Sequence, residues 1–198
     1  MIKDISKDKL WKIVKSDYIF KRPWLTVRQD CVELPNGHRN PEFYVQEFPD
    51  WVNVIALTED GLFVFEKQYR HGLRMTGYEL CAGVIEEGES PLEAAKRELQ
   101  EETGYGEGEW EEIMQICANP SITNNITHCF LAKGVKKISG QNLDYTEDIT
   151  PILLSEEQVR EILEKDICKQ ALMAAPLWKY FAVKDSRRLF CPETDTER

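Results

Sequence analysis

The sequence predicts an α+β fold with a small antiparallel β lobe at its N-terminal end. Three observations predict it. Short β-branched and aromatic runs fill the first third of the chain. A complete helix-start signature, Ser90-Pro91-Leu92-Glu93, stands alone in the middle, and two more helical stretches follow only after further strands. That order, strands then helix then strands then helices, lacks the regular alternation a parallel βαβ sheet requires. The 198 residues allow one compact domain plus a modest extra lobe.

Taken in order, Trp11–Phe20, Leu25–Leu34 and Phe43–Phe48 read as strands, punctuated by Pro23 and the Pro35-Asn36-Gly37 turn. Trp51–Leu57 and Leu62–Gln68 form a hairpin around Glu59-Asp60-Gly61, because Asp-Gly between apolar runs supplies the turn conformation. Tyr78–Cys81 is a brief strand leading into Gly83. At Ser90 a serine N-cap, a proline at the first helical position and a glutamate at N3 make a capping box. That helix stops near Thr103, where Gly104 supplies the C-terminal turn. Strands around Glu112–Ala118, His128–Val135 and Ile149–Leu154 follow. Ser155-Glu156-Glu157 opens a second helix to about Lys165, and Gln170–Val183 a third. Residues 1–50 are then the β lobe, 51–184 the main domain and 185–198 a polar tail.

Composition excludes several classes. The formal net charge of −10 opposes a general nucleic-acid binder, whose partner's phosphates need a basic surface. It leaves room for an anionic small substrate, since a bound cation inverts the local field. No run of about 18 apolar residues is present, so no membrane-spanning helix is expected. The charged Met1–Leu10 stretch does not read as a signal peptide. Six cysteines without a C-x-x-C pair read as reduced, cytoplasmic core residues.

Chemistry concentrates between Gly83 and Tyr105. Residues three and four apart share a helix face, so Glu98, Glu101 and Glu102 converge. Leu92, Ala95 and Leu99 make the neighbouring apolar stripe that docks the helix, with Glu93, Lys96 and Gln100 towards water. Three carboxylates on one flank repel unless a cation sits among them, and oxygen donors suit magnesium or manganese. Arg97, four residues before Glu101, can restrain that carboxylate. Gly83 lets the backbone come close to an ion or phosphate, with the Ala82 carbonyl turned towards the metal. The loop is acidic and lacks Gly-Lys-Ser/Thr, so it is no P-loop. A plain solvated helix face is the competing reading of these glutamates.

The wider spacing, G-x5-E-x7-R-E-U-x-E-E-x-G-U with U apolar, is met by Gly83, Glu89, Arg97, Glu98, Leu99, Glu101, Glu102, Gly104 and Tyr105. Tyr105 is the one loose fit. This 23-residue segment resembles the Nudix box of the Nudix hydrolases. The resemblance implies an α/β/α sandwich of mixed sheet and helices and a divalent-metal pyrophosphohydrolase acting on a nucleoside diphosphate linked to another group. It implies Glu98, Glu102 and the Ala82 carbonyl as magnesium ligands. Glu101 is implied as a further ligand or a carboxylate that orients the attacking water.

Features outside the box lean towards one branch. Gln68-Tyr69-Arg70 resembles the arginine-bearing strand of ADP-ribose and nucleotide-sugar pyrophosphatases, which implies that Arg70 forks onto a substrate phosphate. Pro120, fifteen residues beyond Tyr105, matches that branch too. The branch usually continues Ser-Pro-Gly with a glutamate after it, whereas this chain has Ser121-Ile122-Thr123-Asn124-Asn125. Glu147 sits where ADP-ribose pyrophosphatases often place a mobile general base, with Glu101 as the reserve. Trp24 and Tyr44 are candidate stacking platforms for the base, against the plainer role of core or interface anchors. The β lobe resembles one through which dimeric relatives reach over a partner subunit, so a homodimer is expected. Hydrolysis of nucleoside triphosphates or other nucleoside diphosphate derivatives is the alternative activity. A catalytically silent nucleotide sensor is the alternative of another kind.

Overall fold

A computed structural model of the chain describes residues 2–190, in two compact units. The first comprises the N-terminal segment up to Pro49 together with Asn119–Asn125, and the second runs from Asp50 to Ala118 and from Ile126 onward.

In the first unit β1 (Lys12–Arg22), β2 (Leu25–Glu33) and β3 (Arg39–Glu47) form an antiparallel sheet in that order. Two short turns join them, the second placing Gly37 at φ +85°. Asp30 is almost fully buried on this sheet, where Ser16 Oγ (2.5 Å) and Arg28 Nε (3.0 Å) donate to its two oxygens. Every residue of β1 is exposed, including Ile13, Tyr18 and Phe20. Asn119–Asn125 is stitched to the same unit. Gln46 N–H donates to Ile122 O (2.7 Å), Phe48 N–H to Asn124 Oδ1 (2.9 Å) and Asn125 Nδ2 to Pro49 O (3.1 Å).

The second unit holds β4 (Trp51–Thr58), β5 (Phe63–Arg70), β6 (Met75–Glu79), β7 (Cys81–Val84), β8 (Tyr105–Gly106), β9 (Glu109–Ile116), β10 (Thr127–Lys137) and β11 (Ile149–Leu154). They form one sheet along the path β11-β5-β4-β10-β8, with β6 on β5, β7 on β4 and β9 on β10. β4 and β10 run parallel and the other pairs antiparallel, so the sheet is mixed. Alternation along β4 sends Val52, Val54 and Ala56 to one face and Ile55 and Leu57 to the other. α1 (Pro91–Glu98) packs Ala94 and Ala95 on the first face, with Leu99 just beyond it. α2 (Glu156–Glu164) and α3 (Ala171–Phe190) cover the second through Val159, Ile162, Leu177 and Phe181. Each fully buried large side chain such as Phe65 or Leu99 contributes about 2–3 kcal/mol of transfer free energy. The predicted sandwich and the N-terminal antiparallel sheet are both present.

Details differ from the sequence expectations, for physical reasons. The single strand expected at Tyr78–Cys81 is two strands, because the chain leaves β5 after Glu79 and takes up β4 from Cys81. Leu92 is exposed and Ala94 is buried in its stead, since the sheet accepts the small side chains at close approach. The capping box forms as expected, with Glu93 N–H on Ser90 Oγ (3.3 Å) and Ser90 N–H on Glu93 Oε2 (2.9 Å). The end of that helix is a wider π-type turn over Leu99–Thr103, a distortion that recurs at functional sites. α3 runs past Val183 to Phe190, tied to α2 by Arg160 on Asp185 (2.7 and 3.1 Å). Residues 185–190 are therefore helix rather than tail, and 191–198 lie outside the described residues.

Candidate active site

The site grows out of the β7–α1 connection and the turn that ends α1. Gly83 on β7 lies so close to the Glu98 carboxylate that any Cβ there would occupy the same space. The carboxylate is folded over the backbone, and a side chain at this position would have to push it away. Glu98 and Glu102, one turn apart, are both buried, and Ala82 N–H donates to Glu102 Oε2 (3.1 Å). Arg97 binds Glu89 through Nε and Nη2 (2.9 Å each), reaches Glu98 Oε1 (2.8 Å) and Glu101 Oε2 (3.1 Å) through Nη1, and donates to Val84 O (2.9 Å). It restrains Glu101 as expected, but its bidentate partner is Glu89.

Glu147 arrives from a different part of the chain. Asn142 N–H donates to Glu101 O (2.8 Å), and Gln141 Nε2 donates to Glu102 O (2.8 Å) and Ile149 O (3.0 Å). These bonds hold the segment between β10 and β11 on the turn at the end of α1. Gly104, at φ +70°, accommodates the close approach of the Ser139 carbonyl in the same place. Glu147, half-buried and accepting from Asp144 N–H (2.8 Å), is thereby near enough to act electrostatically on both Glu98 and Glu102.

Burial pushes the Glu98 carboxyl up, with Arg97 opposing and the Glu101 and Glu147 charges reinforcing. Burial pushes Glu102 up to about 7; Cys81 and Ala82 N–H oppose, and Glu98 and Glu147 reinforce. These shifts mark a centre with too little positive charge for its carboxylates. The donor set is all oxygen at its outer edge, which fits a hard divalent cation. Beside it a cavity of about 250 Å3 is lined by Arg70, Ala82, Gly83 and Val84.

Arg70 borders that cavity but is not free to fork. Its Nε donates to both Glu79 oxygens (3.0 Å) and its Nη2 to Oε2 (2.5 Å), so only the Nη1 edge is left for a ligand. Asn125, expected near the substrate loop's acidic place, instead fastens its segment to Pro49. Trp24 and Tyr44 lie in the first unit, on the β1–β2 turn and on β3, and both are exposed. Three residues of the centre escaped the sequence reading: Glu66, Glu79 and Cys81. Glu66 sits two residues beyond Val64 in the inward phase of β5, so a carboxylate in a buried phase was the available signal.

The sequence profile of the NUDIX domain matches residues 48–171. The chain belongs to the Nudix family. A second profile, the nucleoside diphosphate sugar hydrolase N-terminal domain, matches residues 11–46. The chain is 37% identical to the methanol dehydrogenase activator of Bacillus methanolicus, over 79% of this chain and 85% of that protein. It is 32% identical to the ADP-ribose pyrophosphatase of Bacillus subtilis, over 77% and 83%. Among solved structures, one of an ADP compounds hydrolase superposes with a TM-score of 0.78 at 20% identity, covering 89% of this chain and 95% of that one, which shows the shared fold.

The carboxylate shifts carry a stability prediction. Glu66, Glu98 and Glu102 all have folded-state pKa values above the ordinary 4.5, so between that pH and neutrality the folded state binds more protons than the unfolded one. Their contribution is most favourable below about pH 4.5 and is lost as pH rises towards 7. The depressed carboxylates, such as Glu89 and Glu156, act below pH 4.5 and do not cancel this. Metal-free protein is expected to melt several degrees lower at pH 8 than at pH 5, and magnesium to restore more at pH 8. Calorimetry showing equal or higher melting at pH 8 without metal would contradict the carboxylate cluster.

Proposed function

We propose that this Nudix protein is a metal-dependent pyrophosphohydrolase that cleaves ADP-ribose or a related nucleoside-diphosphate sugar into a nucleoside monophosphate and a sugar phosphate. The observation that carries the reading is the meeting of Glu98, Glu102 and Glu147 beside a cavity bordered by Arg70. The relatives named for ADP-ribose and ADP-sugar hydrolysis, and the matched N-terminal profile, support the substrate class.

In this reading Glu98, Glu102 and the Ala82 carbonyl hold magnesium or its substitute manganese, with Glu101 as a further ligand. The bound cation neutralises phosphate charge and makes water a better nucleophile. Arg70 meets a phosphate oxygen through its Nη1 edge, while Glu79 fixes the plane of the guanidinium. Arg97 keeps Glu98 and Glu101 in place. Glu147 accepts the proton of the attacking water, whose oxygen bonds to one phosphorus as the bridging P–O bond breaks. The second phosphate leaves as the other product. Trp24 and Tyr44, exposed on the β lobe, offer ring faces on which a base can stack.

A homodimer and a cytoplasmic location belong to the same proposal. On β1 and its turn, Ile13, Tyr18, Phe20 and Trp24 are 54–86% exposed. A three-stranded sheet with that much bare apolar surface gains stability by packing across a two-fold axis. Light scattering coupled to size exclusion should give twice the chain mass at micromolar concentration; a monomer would overturn the dimer. Cys31, Cys81, Cys129 and Cys168 are free thiols, in keeping with a reducing compartment. Among the described residues no helix is long and apolar enough to cross a membrane.

The deciding experiment is a panel of ADP-ribose, other nucleoside-diphosphate sugars and nucleoside triphosphates with magnesium, read by phosphatase-coupled phosphate release. ADP-ribose or a nucleotide sugar should lead. Faster turnover of triphosphates would overturn the substrate class, and no turnover of any member would overturn catalysis.

A further inference from the structure

Beneath the oxygen-lined centre lies a second group of donors. One ligand atom each of Glu66, Cys81 and Glu102 lie within 4.8 Å of one another, and all three residues are buried. They come from β5, β7 and the turn after α1, so the group is built by tertiary structure. A carboxylate at 1% exposure is costly to bury without a partner, yet Glu66 Oε1 has no hydrogen-bond partner. Arg70, a cation that acts on Glu66 electrostatically, turns its Nε and Nη2 to Glu79 instead. A buried carboxyl with an unpartnered oxygen, a second carboxyl and a thiol are thus gathered where a cation would be held from three sides.

We propose that Glu66, Cys81 and Glu102 form an inner cation site that takes a borderline, thiol-accepting divalent ion of the zinc class. Two oxygens and one sulfur suit zinc or cobalt and disfavour magnesium, which requires hard oxygen donors in octahedral geometry. Tetrahedral zinc with bonds of about 2.0–2.3 Å holds its donors about 3.5 Å apart, so donors lying within 4.8 Å of one another draw together by at most about 1.3 Å on binding. Burial holds the Cys81 thiol protonated in the metal-free protein. On binding, its proton passes to solvent and the thiolate sulfur bonds the ion. Because Glu102 belongs to both sets, filling the inner site draws a carboxylate away from the magnesium centre; that consequence rests on the function proposed above, while the site itself does not.

The test uses cobalt(II) as a spectroscopic stand-in for zinc on the whole chain. Wild type should show a saturable near-ultraviolet thiolate-to-cobalt charge-transfer band that zinc displaces and magnesium does not. Cys81→Ser should lose the band, and Glu66→Gln should weaken cobalt binding by at least about 10-fold, with circular dichroism confirming that both variants are folded. No band in wild type, or a band that survives in folded Cys81→Ser, would overturn the site. If either variant fails to fold, X-ray absorption on zinc-loaded wild type decides: a sulfur in the first shell supports the site and oxygen or nitrogen alone overturns it. Magnesium-dependent hydrolysis measured on the same wild-type preparation separates the two proposals. Hydrolysis without the band sinks only the inner site, and the band without hydrolysis sinks only the proposed activity.

Discussion

Glu102→Gln is expected to lower magnesium-dependent hydrolysis by at least about 10³-fold while leaving the protein folded, since several kcal/mol of transition-state stabilisation depend on a correctly held cation. The carboxamide keeps the shape of the side chain but removes a charge that burial and the Glu98 and Glu147 carboxylates already disfavour. The same variant should therefore melt no lower than wild type at pH 8 without metal, and its response to magnesium should be largely gone. That combination separates a lost ligand from a damaged fold, which would lower activity and melting temperature together. Hydrolysis near the wild-type rate with normal magnesium dependence would remove Glu102 from the ligand set.

Glu147→Gln is expected to reduce kcat by about 10²–10⁴-fold with little change in magnesium affinity, the range a positioned general base supplies. Glu98 and Glu102 are committed as ligands in the proposed arrangement, and Arg97 Nη1 engages Glu101. Glu147 carries only a bond from Asp144 N–H, within its own segment, and is near enough to both buried glutamates to feel their charge. Glu101→Gln, by contrast, should act mainly through weaker magnesium affinity and less on kcat, because Glu101 is assigned as a further ligand that Arg97 Nη1 engages. Single-turnover rates and metal titrations of the two variants decide the matter. A collapse of Glu101→Gln with metal binding intact, beside a near-normal Glu147→Gln, would place the base on the helix.

Much of this protein is legible in one dimension because the deciding interactions are local. The Ser90-Pro91-Leu92-Glu93 cap, the Asp60-Gly61 turn and the Gly104 stop each work within a few residues, and all three form. Helical spacing alone put Glu98 and Glu102 one turn apart; both are buried, Glu98 against Gly83 and Glu102 accepting from Ala82 N–H on β7. Arg97 and Glu89 are eight residues apart, near enough in sequence for the box to contain its own clamp.

Tertiary structure alone decided the rest, through contacts that no period or spacing encodes. Strand pairing brought Glu66, Glu79 and Cys81 under the box from three different strands, and converted Arg70 from a free fork into the partner of Glu79. The hydrogen bonds of Gln141 and Asn142 to the turn after α1 carried Glu147 to the carboxylates from more than forty residues downstream. Asn119–Asn125 joined the β lobe, although it is embedded in the sequence of the larger unit. In each case the partner is chosen by which strand edges and orphaned backbone groups are left unpaired once the sheet has formed, and that depends on the whole chain. What the sequence by itself determined is the metal-facing helix and its class of chemistry; which buried carboxylates and thiol surround that helix was settled only when the sheet closed around it.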